Sequence, residues 1–259
     1  MRLERVTQEQ NVQQTTVQSL PKFEVTTLPS RGIPYPNGWK IYYYPYTYGD
    51  LLKLSQSKLD PVSEIEEVLK GIECQGFDKY DLTIFDFQYL SILRQLSFSD
   101  DIQVLLEAPC PSCGQMVQKA VSASSVQYSE LEVPQLPVVV EIAGQELEFC
   151  PLTVGKFVEA VKVKKHTDLI YLFALQVSNL DINKAYSLIT NAFGEDLVKL
   201  KTVEEVLDHG LLPVELICKC GHKFSVLFGR DAENYFFRPT FTNKRAAGTW
   251  LRFGKVSNS

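Results

Sequence analysis

The chain has 259 residues, 45% of them hydrophobic and 22% charged, with a formal net charge of −5 and a pI near 5.4. That length accommodates one large domain or two of ordinary size around a buried core. The acidic balance argues against a molecule built as a whole to bind nucleic acid or an anionic membrane, because either needs a basic field to gather on phosphates.

The opening stretch MRLERVTQEQNVQQTT is polar throughout, so no signal peptide is expected. No apolar run approaches the roughly 18 residues of a spanning helix; the longest, Leu169 to Leu175, is expected as a buried helix. Residues 1–30, with Gln8, Gln10, Gln13, Gln14 and Gln18, carry too few apolar side chains to offset their own conformational entropy, and are expected as an extended arm.

At Leu28-Pro-Ser-Arg-Gly-Ile-Pro-Tyr-Pro-Asn-Gly38 the chain is rich in turn residues, and Asn37-Gly38 leads into a strand over Trp39 to Tyr44. Thr47 with Asp50 has the spacing of a helix cap, predicting a helix to about Ser57. Asp60-Pro61 opens another, with Ile65, Val68, Leu69 and Ile72 on its inner face. After a loop containing Gly76, Thr83 with Asp86 repeats the cap, and Phe85, Tyr89, Ile92 and Leu96 line one side of a third helix. Strands are predicted over Ile102 to Ala108 and Met116 to Val121, on either side of Cys110-Pro-Ser-Cys113-Gly. A polar stretch from Ser122 to Pro137 is expected as a linker, followed by strands Val138 to Ile142 and Glu146 to Cys150 around the turn Ala143-Gly144.

From here the chain repeats itself. Gly38, Pro45, Thr47, Gly49 and Leu51-Leu52 have counterparts at Gly144, Pro151, Thr153, Gly155 and Phe157-Val158, each displaced by 106 positions. Helices near 167–178 and 181–192 follow, then a short one capped by Thr202 with Glu205. A strand at 214–217 enters a second cysteine pair, Cys218-Lys-Cys220-Gly-His222, and a strand at Phe224 to Phe228 leaves it. The tail from Arg238 to Ser259 has five basic residues and no acidic one, interleaved with Phe241, Trp250 and Phe253, as suits an arm that anchors in a partner. The predicted fold class is α+β: two related strand-plus-helix units joined by a zinc-ribbon-like pair of cysteine knuckles, with extended terminal arms. Its divisions are an arm at 1–30, a first unit at 31–121, a linker at 122–137, a second unit at 138–230 and a basic aromatic arm at 231–259.

Two close cysteine pairs, each with a glycine after its last cysteine, supply the four thiolates of a tetrahedral structural zinc site. The metal ligands expected are Cys110, Cys113, Cys218 and Cys220. The second pair has one intervening residue where a knuckle ordinarily has two, so His222 is a possible substitute ligand, most readily for Cys218. Paired in this way, the six cysteines do not resemble an extracellular disulfide framework; Cys74 and Cys150 are expected as packing residues in a chain that folds in a reducing cytosol. A thioredoxin-like use of Cys110 and Cys113 would need a helix after the motif, where a strand is predicted. His166 is expected in a loop, and His209 at a helix end as a cation on the dipole. Glu64, Glu66 and Glu67 are expected as a solvated helix face. No G-x-S-x-G, Walker loop, H-E-x-x-H or G-x-G-x-x-G is present, and an enzyme is not expected.

The segments Leu28-Pro-Ser-Arg-Gly-Ile-Pro-Tyr, Pro45-Tyr-Thr47, Phe85-Asp86 to Leu93-Arg94 followed by Leu96-Ser97-Phe98, and the Cys110 knuckle together resemble the T4-type tailed-phage baseplate hub assembly and hub-associated proteins. The resemblance spans about residues 28–230. It implies a virion or assembly role at the centre of a contractile tail's baseplate, with other baseplate and tail proteins as partners and neither a small-molecule substrate nor a membrane. The virion tail, assembled in the host cytoplasm, is the expected location. A zinc-ribbon nucleic-acid module is the alternative, and it requires a basic stripe beside the knuckles.

Overall fold

A computed structural model describes residues 21–50, 53, 60–96, 103–122, 127–226, 238–240 and 250–252. The first unit is built on an antiparallel sheet of order β1-β2-β3, with β1 at Phe23–Glu24, β2 at Lys40–Tyr43 and β3 at Ile72–Gln75. Residues 1–20 of the expected arm lie outside the described residues. From Phe23 onward the chain is docked, with Val25 and Leu28 buried in the core.

The cap pairing at Thr47 is reciprocal. Asp50 N donates to Thr47 Oγ1 (3.1 Å) and Thr47 N donates to Asp50 Oδ2 (2.9 Å). Of the helix expected to Ser57, only its start and Lys53 are described. Helix α1 (Pro61–Leu69) opens at Asp60, whose carboxylate accepts from Val62 N and Ser63 N, and it turns Ile65, Val68 and Leu69 inward. Ile72 does not continue that face, because the helix stops at Lys70-Gly71 and Ile72 opens β3. Gly71 is required there: a Cβ would stand 2.0 Å from the guanidinium of Arg94. Arg94 is itself buried, donating to Tyr44 O (2.8 Å) and Val68 O (2.5 Å) and lying over the Tyr46 ring. Of the expected wet face only Glu66 is exposed: Glu64 is buried, and Glu67, its side chain 11% exposed, pairs with Lys70 and Lys53.

Helix α2 (Ile84–Leu96) is buried on more than the predicted side. Ile84, Phe87 and Leu90 enter the first core, Phe85 packs on His209, and Tyr89 meets Tyr128. Such a helix is a central element rather than a surface one. Its first turn also fixes the Leu28–Tyr35 segment: Asp86 accepts from Ser30 N (2.9 Å) and from Tyr35 Oη (2.5 Å), while Thr83 N donates to Tyr35 Oη (3.0 Å). Burial, reinforced by the Asp86 charge, holds the Tyr35 phenol well above its ordinary pKa. Beyond α2 come the hairpin strands β4 (Gln103–Pro109) and β5 (Met116–Ser122).

Of the stretch expected as a linker, the part from residue 127 is packed. Its strand β6 (Tyr128–Ser129) pairs with Gly210–Leu211, and Leu131 and Val133 are buried in a second core. The second unit then repeats the first. Strands β7 (Val138–Ile142) and β8 (Gln145–Phe149) turn over Ala143-Gly144, and Phe149 sits between Val138 and Val177 as Tyr43 sits between Phe23 and Ile72. Tyr44 N donates to Gly71 O, and 106 positions on Cys150 N donates to Gln176 O, both at 2.9 Å. Helices α3 (Val154–Lys162), α4 (Leu169–Ala174), α5 (Ile182–Thr190) and α6 (Glu195–Leu207) follow, with Thr153 capping α3. Two expectations fail here. Helix α4 buries only Leu172 and Ala174, leaving Leu169 71% exposed. Thr202 caps nothing: it lies inside α6, its hydroxyl turned back to Val198 O (3.0 Å).

Strand β9 (Gly210–Leu211) closes onto β6, and the hairpin of β10 (Val214–Ile217) and β11 (Lys223–Val226) ends the second unit. The last two residues of the strand expected over Phe224 to Phe228, and the tail, lie outside the described residues, save β12 (Arg238–Thr240) and β13 (Trp250–Arg252), which pair antiparallel. The units share one core: Ile41, Leu69 and Phe87 of the first pack with Val154, Phe157 and Leu172 of the second.

Candidate metal centre

The two cysteine pairs sit at the tips of matching hairpins, β4–β5 and β10–β11. In the first, Cys110 N donates to Gln115 O (2.8 Å) and Gly114 N to Cys110 O (2.8 Å); in the second, Cys218 N donates to His222 O (2.9 Å) and Gly221 N to Cys218 O (2.9 Å). Gly114 and Gly221 both take positive φ, +73° and +86°, which lets each turn close while its amides face sulfur. The second tip is one residue shorter than the first, and the missing residue is the one between its cysteines. His222 therefore stands where Gln115 stands, and it contributes its carbonyl to the turn. Its ring stacks with Phe224 at 6.2 Å.

All four Sγ atoms lie within 4.8 Å of one another. Across the hairpins, Cys110 faces Cys220 at 3.7 Å and Cys113 faces Cys218 at 3.5 Å. A disulfide would bring two sulfurs to about 2.05 Å. A tetrahedral ion with bonds of about 2.3 Å sets them about 3.8 Å apart, so both cross-hairpin separations suit such an ion. The arrangement has an approximate two-fold relation, since exchanging the knuckles exchanges these two contacts. Cys110 and Cys218 are buried beneath the site, and Cys113 and Cys220 are exposed above it.

The thiols share charge unevenly. Burial opposes ionisation of Cys110, but the N–H groups of Cys113 and Ser112 and the neighbouring thiols outweigh it and bring Cys110 down to about 7. For Cys113 the Gln115 amide works to lower the value, whereas the Cys218 thiol and burial prevail and push it up to about 12. Four donors of this kind match a soft or borderline dication and leave no coordination position for water or substrate. Cys110 and Cys113 lie in a hairpin turn, not at a helix start, so the thioredoxin-like geometry is absent from this motif.

The remaining candidates are dispersed. Cys74 packs against the first core, and burial pushes its thiol up to about 12; burial likewise raises Cys150. His166 is half-buried against Phe157. His209, expected as a cation on the helix dipole, is instead buried against Phe85, with Nδ1 donating to Leu207 O (2.7 Å), and burial lowers its pKa. Two lysines beside the knuckles are engaged with Glu215: Lys119 donates to Glu215 O (2.9 Å) and Lys223 pairs with the Glu215 carboxylate (3.8 Å).

Among the described residues no helix is long and apolar enough to cross a membrane. No curated protein and no solved structure matches the chain. A family model described as T4 bacteriophage base plate protein matches residues 20–236, a span that takes in the Leu28–Tyr35 segment, both units and both knuckles. The chain belongs to this family of phage baseplate proteins.

Proposed function

We propose that this chain is a structural or assembly protein of the hub region of a contractile-tail baseplate, acting through contacts with other baseplate and tail proteins and carrying one structural zinc ion. The observation that carries the metal assignment is the convergence of Cys110, Cys113, Cys218 and Cys220 from two hairpins to separations that suit a tetrahedral ion. Zinc fits these donors because it favours four thiolates without a redox change. His222 is not needed as a ligand while Cys218 keeps its place. The division proposed is into units at 31–121 and 138–230, the first taking in strand β1 (Phe23–Glu24) ahead of it, with residues 127–137 packing against both. No catalytic residue is assigned, since a closed tetrathiolate site binds no substrate. The protein stays in the finished virion tail after assembly in the host cytoplasm.

Two measurements test this together. Elemental analysis of the purified chain is expected to give one zinc per chain, lost on Cys110→Ser, and mass spectrometry of purified particles is expected to find the chain. A zinc-free chain rejects the metal assignment, and its absence from particles rejects the permanent role.

A further inference from the structure

A cleft of about 420 Å³ opens between a loop of the first unit and the stretch that leads into β7. One wall runs from Arg31 to Trp39, the other from Pro134 to Leu136. Two hydrogen bonds tie the segments that carry these walls: Leu131 N donates to Pro29 O (2.8 Å), and Arg31 Nη1 donates to Leu131 O (3.5 Å). Tyr35 and Trp39 pack toward the first core, Ile33 and Leu136 toward the second. The cleft therefore stands over the seam of the two cores, on residues that are already packed.

Its lining is fixed, yet its hydrogen-bonding groups are unused. The Trp39 indole lies so close on Gly32 that a Cβ there would stand 2.3 Å from Nε1, and Gly32 also takes positive φ, +74°. Only glycine lets the indole settle at this wall. Arg31 is left-handed as well, at +58°, which is uncommon for a residue with a side chain. Among the described residues, the side chains of Asn37, Trp39 and Gln135 make no hydrogen bond. Arg31 is held loosely: its Nε stands 3.9 Å from the Glu130 carboxylate, and its side chain is 52% exposed. A guanidinium in that state can take an incoming carboxylate in a two-pronged hydrogen bond. The cleft thus offers a cation, an indole N–H and two carboxamides over an aromatic and aliphatic base, and its size is that of a ligand pocket.

We propose that this cleft binds a short extended segment of a partner protein through an acidic side chain. Arg31 would receive the carboxylate, sharing or taking over the place that Glu130 approaches. Asn37 and Gln135 would hold the neighbouring main chain, because a carboxamide can donate to a carbonyl and accept from an N–H at once. That the ligand is a protein segment rests on the reading above, in which the chain acts through contacts with other tail proteins; its acidic character rests on Arg31.

Selection from a random heptapeptide library on the immobilised full-length chain tests this, followed by isothermal titration of the selected peptides. They are expected to share an acidic position and to bind Arg31→Gln about tenfold more weakly, the loss of one charged hydrogen bond. Gln135→Ala is expected to weaken them as well. Both side chains are exposed, so circular dichroism and melting temperature are expected to stay as in the wild type. The chain has two tryptophans, and the Trp39 indole N–H signal, assigned with Trp39→Phe, is expected to move on adding the peptide but not its glutamine analogue or acetate. A selection without an acidic position overturns the proposal, as do peptides that bind both variants as tightly as the wild type. An equal movement with acetate also overturns it, assigning the cleft to small carboxylates. None of these results bears on zinc content or on presence in particles, so failure here is distinct from failure of the proposed function.

Discussion

Asp86 shows how one residue can serve two levels of structure. Its backbone N–H takes the Thr83 cap that the sequence spacing announces, while its carboxylate holds Ser30 and Tyr35 from more than 50 positions away. The cap was legible because it is local; the second role was not, because nothing in the neighbouring sequence reports which loop will fold over a helix start. His209 makes the same point. Its position after a helix suggested a cation on the dipole, but the ring is buried against Phe85, so the neutral form is favoured. The folded-state pKa lies below the unfolded value of 6.5, so as pH falls the unfolded chain takes up this proton first. The stability contributed by His209 is therefore complete above the unfolded value and is lost as pH drops toward the lower folded one. Calorimetry at pH 7 and pH 5 is expected to show a larger drop in melting temperature for the wild type than for His209→Gln; equal drops would place the acid sensitivity elsewhere.

At the scale of elements, the long features were readable and the short ones were not. Helices with an acidic or hydroxyl cap and a 3.6-residue apolar period appear near their predicted places, as do the strands around each knuckle. Strands β1, β6 and β9 have two residues each, too few for any alternation to register, and β3 was concealed because Ile72 falls four residues after Val68 and so extends a helical pattern. Thr202 with Glu205 imitated a cap inside a continuous helix, where a threonine hydroxyl has a carbonyl one turn back to bond. The repeated P-x-T-x-G segment gives a direct comparison between equivalent elements. Both glycines lie in the first turn of a helix, where alanine should be favoured by up to about 1 kcal/mol. Among the described residues, a methyl at Gly49 meets nothing closer than Thr47 Oγ1 at 3.6 Å, whereas at Gly155 it meets the Tyr80 carbonyl. Gly49→Ala is expected to raise the urea midpoint and Gly155→Ala to leave it unchanged or lower it. Equal gains would show that the close approach at Gly155 costs nothing.

For the whole molecule, the question is what the proposed metal ion would hold. Read from sequence, the knuckles were the join between the two units, because the cysteine pairs were the only features that had to meet. That the four thiols would converge was legible, since residue type and spacing announce it; the place of His222 was not, since a one-residue contraction of the turn shows only in the backbone hydrogen bonds that put it where Gln115 stands. The structure adds a second join, the shared core of Phe87 and Leu69 with Val154 and Phe157, together with the Thr83–Thr153 bridge. Burial on that scale, several large side chains at roughly 1.5–3 kcal/mol each, does not depend on an ion at the hairpin tips. The consequence is a division of labour that hydrogen exchange can separate. In Cys110→Ser, or after chelation, amides of β4, β5, β10 and β11 are expected to exchange faster, while those of α2, α3 and β8 keep their protection. If protection falls in the helices as well, the ion and not the core is what joins the units, and the short hairpins carry far more of the fold than their size suggests.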